Sequence, residues 1–191
     1  MSNADAALEP PAPTFFHRVA ARWRRDLTFF LIAASIIVLD QLTKWLVRSN
    51  LVLGETWPED SDSFIRIIHV VNSGAAFGIL QGQTPFLIVT SLLGLAAILL
   101  YYVYPPMEHG IIRIALGMQL GGAVGNLIDR VRLGEVTDFI DVGRFPTFNV
   151  ADSSISTSIV AVLIFFALQE AEAARRHGPA TDAGSQPPLD E

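Results

Sequence analysis

The chain has 191 residues, 13 Lys and Arg against 19 Asp and Glu for a net charge of -6, no Cys, and 51% hydrophobic residues. Charged residues make up 17% of it, where a soluble domain carries about a quarter, so this composition suits a bilayer rather than water. The acidic balance leaves no basic face for a phosphate backbone, which excludes nucleic acid as a partner, and the missing Cys excludes disulfides, thiolate metal sites and a Cys nucleophile.

Residues 1–26 begin with an Ala- and Pro-rich stretch that has no periodicity and reads as disordered, followed by the basic cluster Arg18, Arg22, Arg24 and Arg25. About 20 mostly apolar residues cross the roughly 30 Å hydrocarbon core, and four runs of that kind follow. The first, 27–47, is apolar to Leu39 and then carries Asp40 and Lys44; with no cleavage signal at its end, it is an uncleaved span. An outer loop, 48–83, holds Glu55, Glu59, Asp60 and Asp62. Its β-branched run over 64–72 predicts one or two strands ending at Ser73-Gly74, and 75–80 makes a short apolar approach suited to the headgroups. The second span, 84–104, has no charge and ends at Pro105 and Pro106. In the third, 110–128, Gly117, Gly121 and Gly125 recur at every fourth position, which predicts a face where another helix comes close. A second outer loop, 129–150, leads to the fourth span, 151–168, which opens with Asp152, and the polar tail 169–191 reads as disordered. The expected fold is therefore mainly α: a four-transmembrane-helix domain over 27–168 with a small extracytoplasmic β element. Four Arg ahead of the first span put both termini in the cytoplasm and both loops outside.

Polar groups collect at the outer ends of the spans: Asp40, Lys44, Asn126, Asp129, Arg130, Asn149 and Asp152. Ionisable groups at membrane depth cost several kcal/mol unless paired or hydrated, so this end is the candidate site. Asp40 and Lys44 are four residues apart, share a helix face and can pair. Asn126 with Asp129, and Asn149 with Asp152, lie three apart and make two amide-plus-carboxylate faces. Asp138, in Val136-Thr137-Asp138-Phe139-Ile140, reads on its own as a surface or strand-end residue, although its loop can fold it back against Asp152.

His17, His69, His109 and His177 are scattered, no His accompanies the serines of the fourth span, and no phosphate-binding Gly loop occurs, so no metal or cofactor is expected. Carboxylate chemistry remains. Two Asp side chains close together share one proton, so that one activates a water while the other protonates a scissile carbonyl. Two alternatives stay open at this point: a small ion-coupled transporter relaying protons through Asp40, Asp129 and Asp152, and a non-catalytic assembly factor, which needs no Asp pair.

Five segments in order resemble the lipoprotein signal peptidases, the signal peptidase II aspartyl proteases of bacterial membranes. They are Asp40-Gln41-Leu42-Thr43-Lys44, Asn72-Ser73-Gly74-Ala75-Ala76-Phe77, the run from Gly121 to Arg130, Val136-Thr137-Asp138-Phe139, and Phe148-Asn149-Val150-Ala151-Asp152-Ser153. The resemblance implies that Asp138 and Asp152 are the catalytic pair. It makes Asp129 a supporting residue that pairs with Arg130, gives Asn126 and Asn149 the task of orienting the pair or the substrate backbone, and sets Asp40, Lys44 and Asn72 as support from the other side. It also implies a multi-pass protein of the bacterial inner membrane, working at the outer leaflet on prolipoprotein signal peptides whose Cys carries diacylglyceryl, among membrane lipids and open to globomycin-type inhibitors. Thr137 departs from the pattern, standing where an apolar residue is expected.

Overall fold

The computed structural model describes residues 15–59, 63–75, 79–103 and 109–176. The elements run α1 (Phe15–Asn50), β1 (Thr56–Trp57), β2 (Ile65–Asn72), α2 (Thr84–Val103), α3 (Gly110–Leu133), β3 (Val136–Val142) and α4 (Val150–Arg176). Each of the four helices is long and apolar enough to cross a membrane. Large side chains such as Val38, Leu93 and Leu163 point outward, while the buried set includes Asp40, Lys44, Asn126, Asp129 and Asn149. The chain is thus apolar toward lipid and polar within, a multi-pass membrane protein.

Helix α3 is the central post. It packs on α1 and α4 and carries α2 on a further side. The glycine row predicts this: a Cβ at Gly117 would lie 2.9 Å from the Phe29 carbonyl oxygen, and one at Gly121 would lie 2.7 Å from that of Ala33. Backbone touches backbone only because no side chain intervenes. Gly122, outside the row, does the same toward α4, where a Cβ would meet the Ala151 carbonyl and the Ser154 hydroxyl, each at 2.5 Å.

The helices outrun the predicted spans. Helix α1 starts at Phe15 and ends at Asn50, α3 runs on to Leu133, and α4 to Arg176, so the basic stretch 15–26 is helical, and so is 169–176, which was expected to be disordered. Apolarity marks where a helix crosses lipid, whereas Ala, Arg and Glu continue a helix equally well in water. For the same reason Asp129 and Arg130 are helical and not part of a loop. The rest of the disorder reading (1–14 and 177–191), the acids at 60–62, and the prolines at 105 and 106 lie outside the described residues.

Between α1 and α2 the β-branched run forms a single strand. β2 pairs antiparallel with β1 on one side and β3 on the other, placing Val70 opposite Asp138, Val71 opposite Thr137 and Asn72 opposite Val136. The register slips between Ile67 and Val70, a bulge of the kind that twists a strand and re-aims its end. The β1–β2 unit is tied to the end of α1: the His69 ring nitrogen lies 2.9 Å from the Leu51 carbonyl, and the Gly54 N–H donates to the His69 carbonyl at 2.8 Å. β3 is bracketed on its free side by Phe148, whose N–H donates to Ile140 and whose carbonyl accepts from Phe139 and Ile140. That bridge carries the next residue, Asn149, to the side of Asp138.

Candidate active site

The polar residues converge where α1, α3, α4 and the β2–β3 pair meet. At the base lies Lys44, fully buried, with its ammonium 2.9 Å from Asp40 and 3.0 Å from Asp129, and donating to the Asn126 side-chain oxygen at 2.9 Å. Its three donors are all used. The second Asp40 oxygen accepts the Ala151 N–H at 2.9 Å, so this carboxylate sits at the start of α4, where the helix dipole favours negative charge. The ion pair anticipated between Asp40 and Lys44 is therefore present.

The pair anticipated between Asp129 and Arg130 is not formed. Asp129 faces α1: besides Lys44 it accepts from Gln41 at 3.1 Å and from the Thr137 N–H at 3.2 Å, with Arg48 at 3.9 Å. Arg130 instead donates to the Gly74 carbonyl at 3.2 Å. Successive helical residues diverge by about 100° around the axis, which sends neighbours to different partners. Arg130 lies within electrostatic reach of Asp152, Asp138 and Asp129.

Two amides join the candidate carboxylates. Asn126 donates to Asp152 at 2.7 Å, and Asn149 donates to Asp138 at 2.7 Å and to the Asn126 oxygen at 3.2 Å. The Asn149 oxygen accepts the Asp152 N–H at 2.9 Å, which makes Asn149 the N-cap of α4 and locks its amide in place. From the other flank Asn72 donates to the second Asp138 oxygen at 2.9 Å, its own oxygen held by the Gly74 N–H. Asp138 is 2% exposed and lies inside β3, not at a surface or strand end. Burial, and then the charge of Asp152, push its carboxyl up to about 6, against the lowering effect of the Asn72 and Asn149 amides and of Lys44.

A cavity of about 1020 Å³ opens over this pair, lined by Asp138, Asp152, Asn72, Asn126, Arg130 and the aromatic edge of Phe148, and running down α4 past Ile155. An apolar chamber with a few convergent polar groups is the usual form of a ligand site. Two contributors, Gln41 and Arg48, escaped sequence reasoning. Gln41 spans Asp40, the Gly125 carbonyl and Asp129. Arg48 donates to the Thr137 hydroxyl at 2.9 Å, which accounts for a buried Thr at a position expected to be apolar. Arg48 could have been found by continuing the four-residue spacing from Asp40 through Lys44; Gln41 carried no such signal.

Four spans around an open, carboxylate-lined cavity define an integral membrane enzyme. A bacterial membrane enzyme solved in meso at 2.3 Å resolution matches with a TM-score of 0.71 and 32% identity over 81% of this chain and 94% of that one. A second, at 1.9 Å, matches with 0.66 and 34% over 73% and 92%. The protein named lipoprotein signal peptidase of Dehalococcoides mccartyi is 46% identical over 146 residues, 74% of this chain and 90% of the relative. The one of Bacillus pumilus is 42% identical over 140 residues, 71% and 90%. The signal peptidase (SPase) II family matches residues 32–168. The chain belongs to that family of proteases, which process signal peptides.

Proposed function

We propose that this protease removes signal peptides from prolipoproteins by cutting before a Cys that already carries a diacylglyceryl group, and that Asp138 and Asp152 are its aspartyl pair. The observation that carries the reading is the amide bridge joining the two carboxylates under one cavity. Asp138, pushed up to about 6, holds the shared proton. Asp152, served by the Lys44–Asn126 chain of donors at the start of α4, is the carboxylate. Asp152 takes a proton from the attacking water while Asp138 gives its own to the scissile carbonyl oxygen, leaving a neutral tetrahedral diol. Asp152 then protonates the departing amide nitrogen, the C–N bond breaks, and Asp138 recovers its proton from the diol.

Asn72, Asn126 and Asn149 fix the rotamers of the pair; Lys44, itself held by Asp40 and Asp129, fixes Asn126, whose oxygen holds Asn149; and Arg130, at the cavity wall, binds substrate. The basic stretch at the N-terminal end of α1, ahead of the membrane span, supports cytoplasmic termini and a site at the outer leaflet of the bacterial inner membrane. Globomycin-type inhibitors would occupy the same cavity. In the deciding experiment the full-length protein is incubated with a diacylglyceryl-modified precursor and the released peptide is weighed by mass spectrometry. Asp138→Asn and Asp152→Asn each abolish cleavage while unfolding like the parent; substantial turnover by either folded variant refutes the pair.

A further inference from the structure

Hydroxyl side chains on a membrane helix ordinarily return their proton to a carbonyl three or four residues back, because lipid tails accept none. Most here do so. Ser153 donates to Asn149, Ser154 to Ala151 and Ser158 to Ile155, as do Thr43 to Leu39 and Ser91 to Leu87. Two on α4 do not: Ser156 and Thr157 are exposed, line the cavity beside Asp152, and make no hydrogen bond among the described residues. We propose that Ser156 and Thr157 form a subsite for the ester carbonyl oxygens of the substrate's diacylglyceryl group, an inference that rests on the function proposed above.

Reach supports the assignment. The two residues follow Asp152 by four and five positions, about 6 and 7.5 Å further along the helix axis and deeper in the membrane. In the substrate, the path from the scissile carbonyl carbon runs through the amide nitrogen, the Cys Cα, Cβ and sulfur, and two glyceryl carbons to an ester oxygen and its carbonyl. It covers about eight bonds, on the order of 10 Å extended. A scissile bond held at Asp138 and Asp152 therefore delivers the esters to this level of α4, with Ile155 beside them for the acyl chains. Donor count agrees as well: two hydroxyls face a group with two ester carbonyls. A helical signal peptide satisfies its own carbonyls internally, whereas the esters arrive without a donor, so the lipid is the better occupant.

The test uses the full-length enzyme in detergent and two precursor peptides that differ only in the lipid, one diacylglyceryl and one dialkylglyceryl, whose ether links lack the carbonyls. Two neutral hydrogen bonds lost together correspond to about a tenfold effect. The Ser156→Ala, Thr157→Val double variant raises KM about tenfold on the diacyl peptide and less than about twofold on the dialkyl one, and wild type shows the same discrimination between the two peptides. Thr157→Val alone, nearly isosteric, gives about a threefold rise on the diacyl peptide. An equal rise on both peptides assigns the hydroxyls to the peptide or to packing and overturns the proposal; so does no rise on the diacyl peptide. Failure of the underlying function looks different, since wild type then cleaves neither peptide.

Discussion

Replacing Lys44 with methionine keeps the length of the side chain and removes the ammonium on which Asp40, Asp129 and Asn126 converge. Both carboxylates keep neutral donors: Asp40 retains the Ala151 N–H and Gln41, while Asp129 retains the Thr137 N–H and Gln41. Neutral donors satisfy oxygens without cancelling charge. Arg48, partly exposed and 3.9 Å from Asp129, is the cation left to Asp129. Removing one partner of a buried ion pair costs about 3–5 kcal/mol, and with two carboxylates stranded the expected loss for Lys44→Met is about 4 kcal/mol. Unfolding in mixed micelles of rising denaturing-detergent content measures it. Adding Asp40→Asn removes one stranded charge and restores about half of the loss, a double-variant comparison that isolates charge from packing. A cost under about 1 kcal/mol, or a double variant less stable than Lys44→Met alone, would show that Lys44 is not the keystone of this cluster.

Further tests bear on other parts. Because the carboxyl of Asp138 is pushed up to about 6, the pair loses its shared proton, and cleavage falls, as pH rises through that value. Asn72→Ala removes a hydrogen bond that favours the ionised form and moves this alkaline limb to higher pH; a shift downward in a pH–rate profile contradicts the assignment. The same group makes stability pH-dependent: the native chain keeps the proton to about 6 and the unfolded chain releases it near 3.8. Its contribution, at most about 3 kcal/mol, is complete below the lower value and gone above the higher; unfolding followed between pH 4 and 7 detects that decline, which Asp138→Asn abolishes. Gly125→Ala drives a Cβ to 2.6 Å from an Asp40 oxygen that Lys44 holds in place, costing about 1–3 kcal/mol. Gly94→Ala meets nothing within 4 Å and stabilises α2 by about 0.5–1 kcal/mol; equal thermal shifts for the two would refute the packing account. Globomycin is expected to inhibit cleavage by the purified protein and to raise its unfolding temperature; absence of both effects would count against the cavity as the substrate site.

What could be read from the sequence followed from local rules. Apolar run length exposed four spans, and the four-residue spacing of Gly117, Gly121 and Gly125 exposed the face that receives α1. The Asp40–Lys44 pair was visible because both partners lie on one helix. Asp138 was not, because its environment is made by residues distant in the chain: Asn72 across a strand pair, and Asn149 brought over by the Phe148 bridge. The wrong partner for Asp129 has the same origin. The resemblance had implied Arg130, its neighbour in the chain, whereas helix rotation turned the carboxylate toward Lys44 on another span. Helix ends were misjudged because hydropathy reports the solvent, not the backbone.

The contact between Asp40 and the first turn of α4 joins the earliest span to the last. Nothing on α1, α2 or α3 alone can supply Asn149 or Asp152, and Asn126 has no carboxylate to donate to until α4 arrives. With Asp138 and Asp152 as the proposed pair, a nascent chain halted before its final insertion step would be catalytically inert, and proteolytic competence would switch on only when translation and membrane integration are both complete.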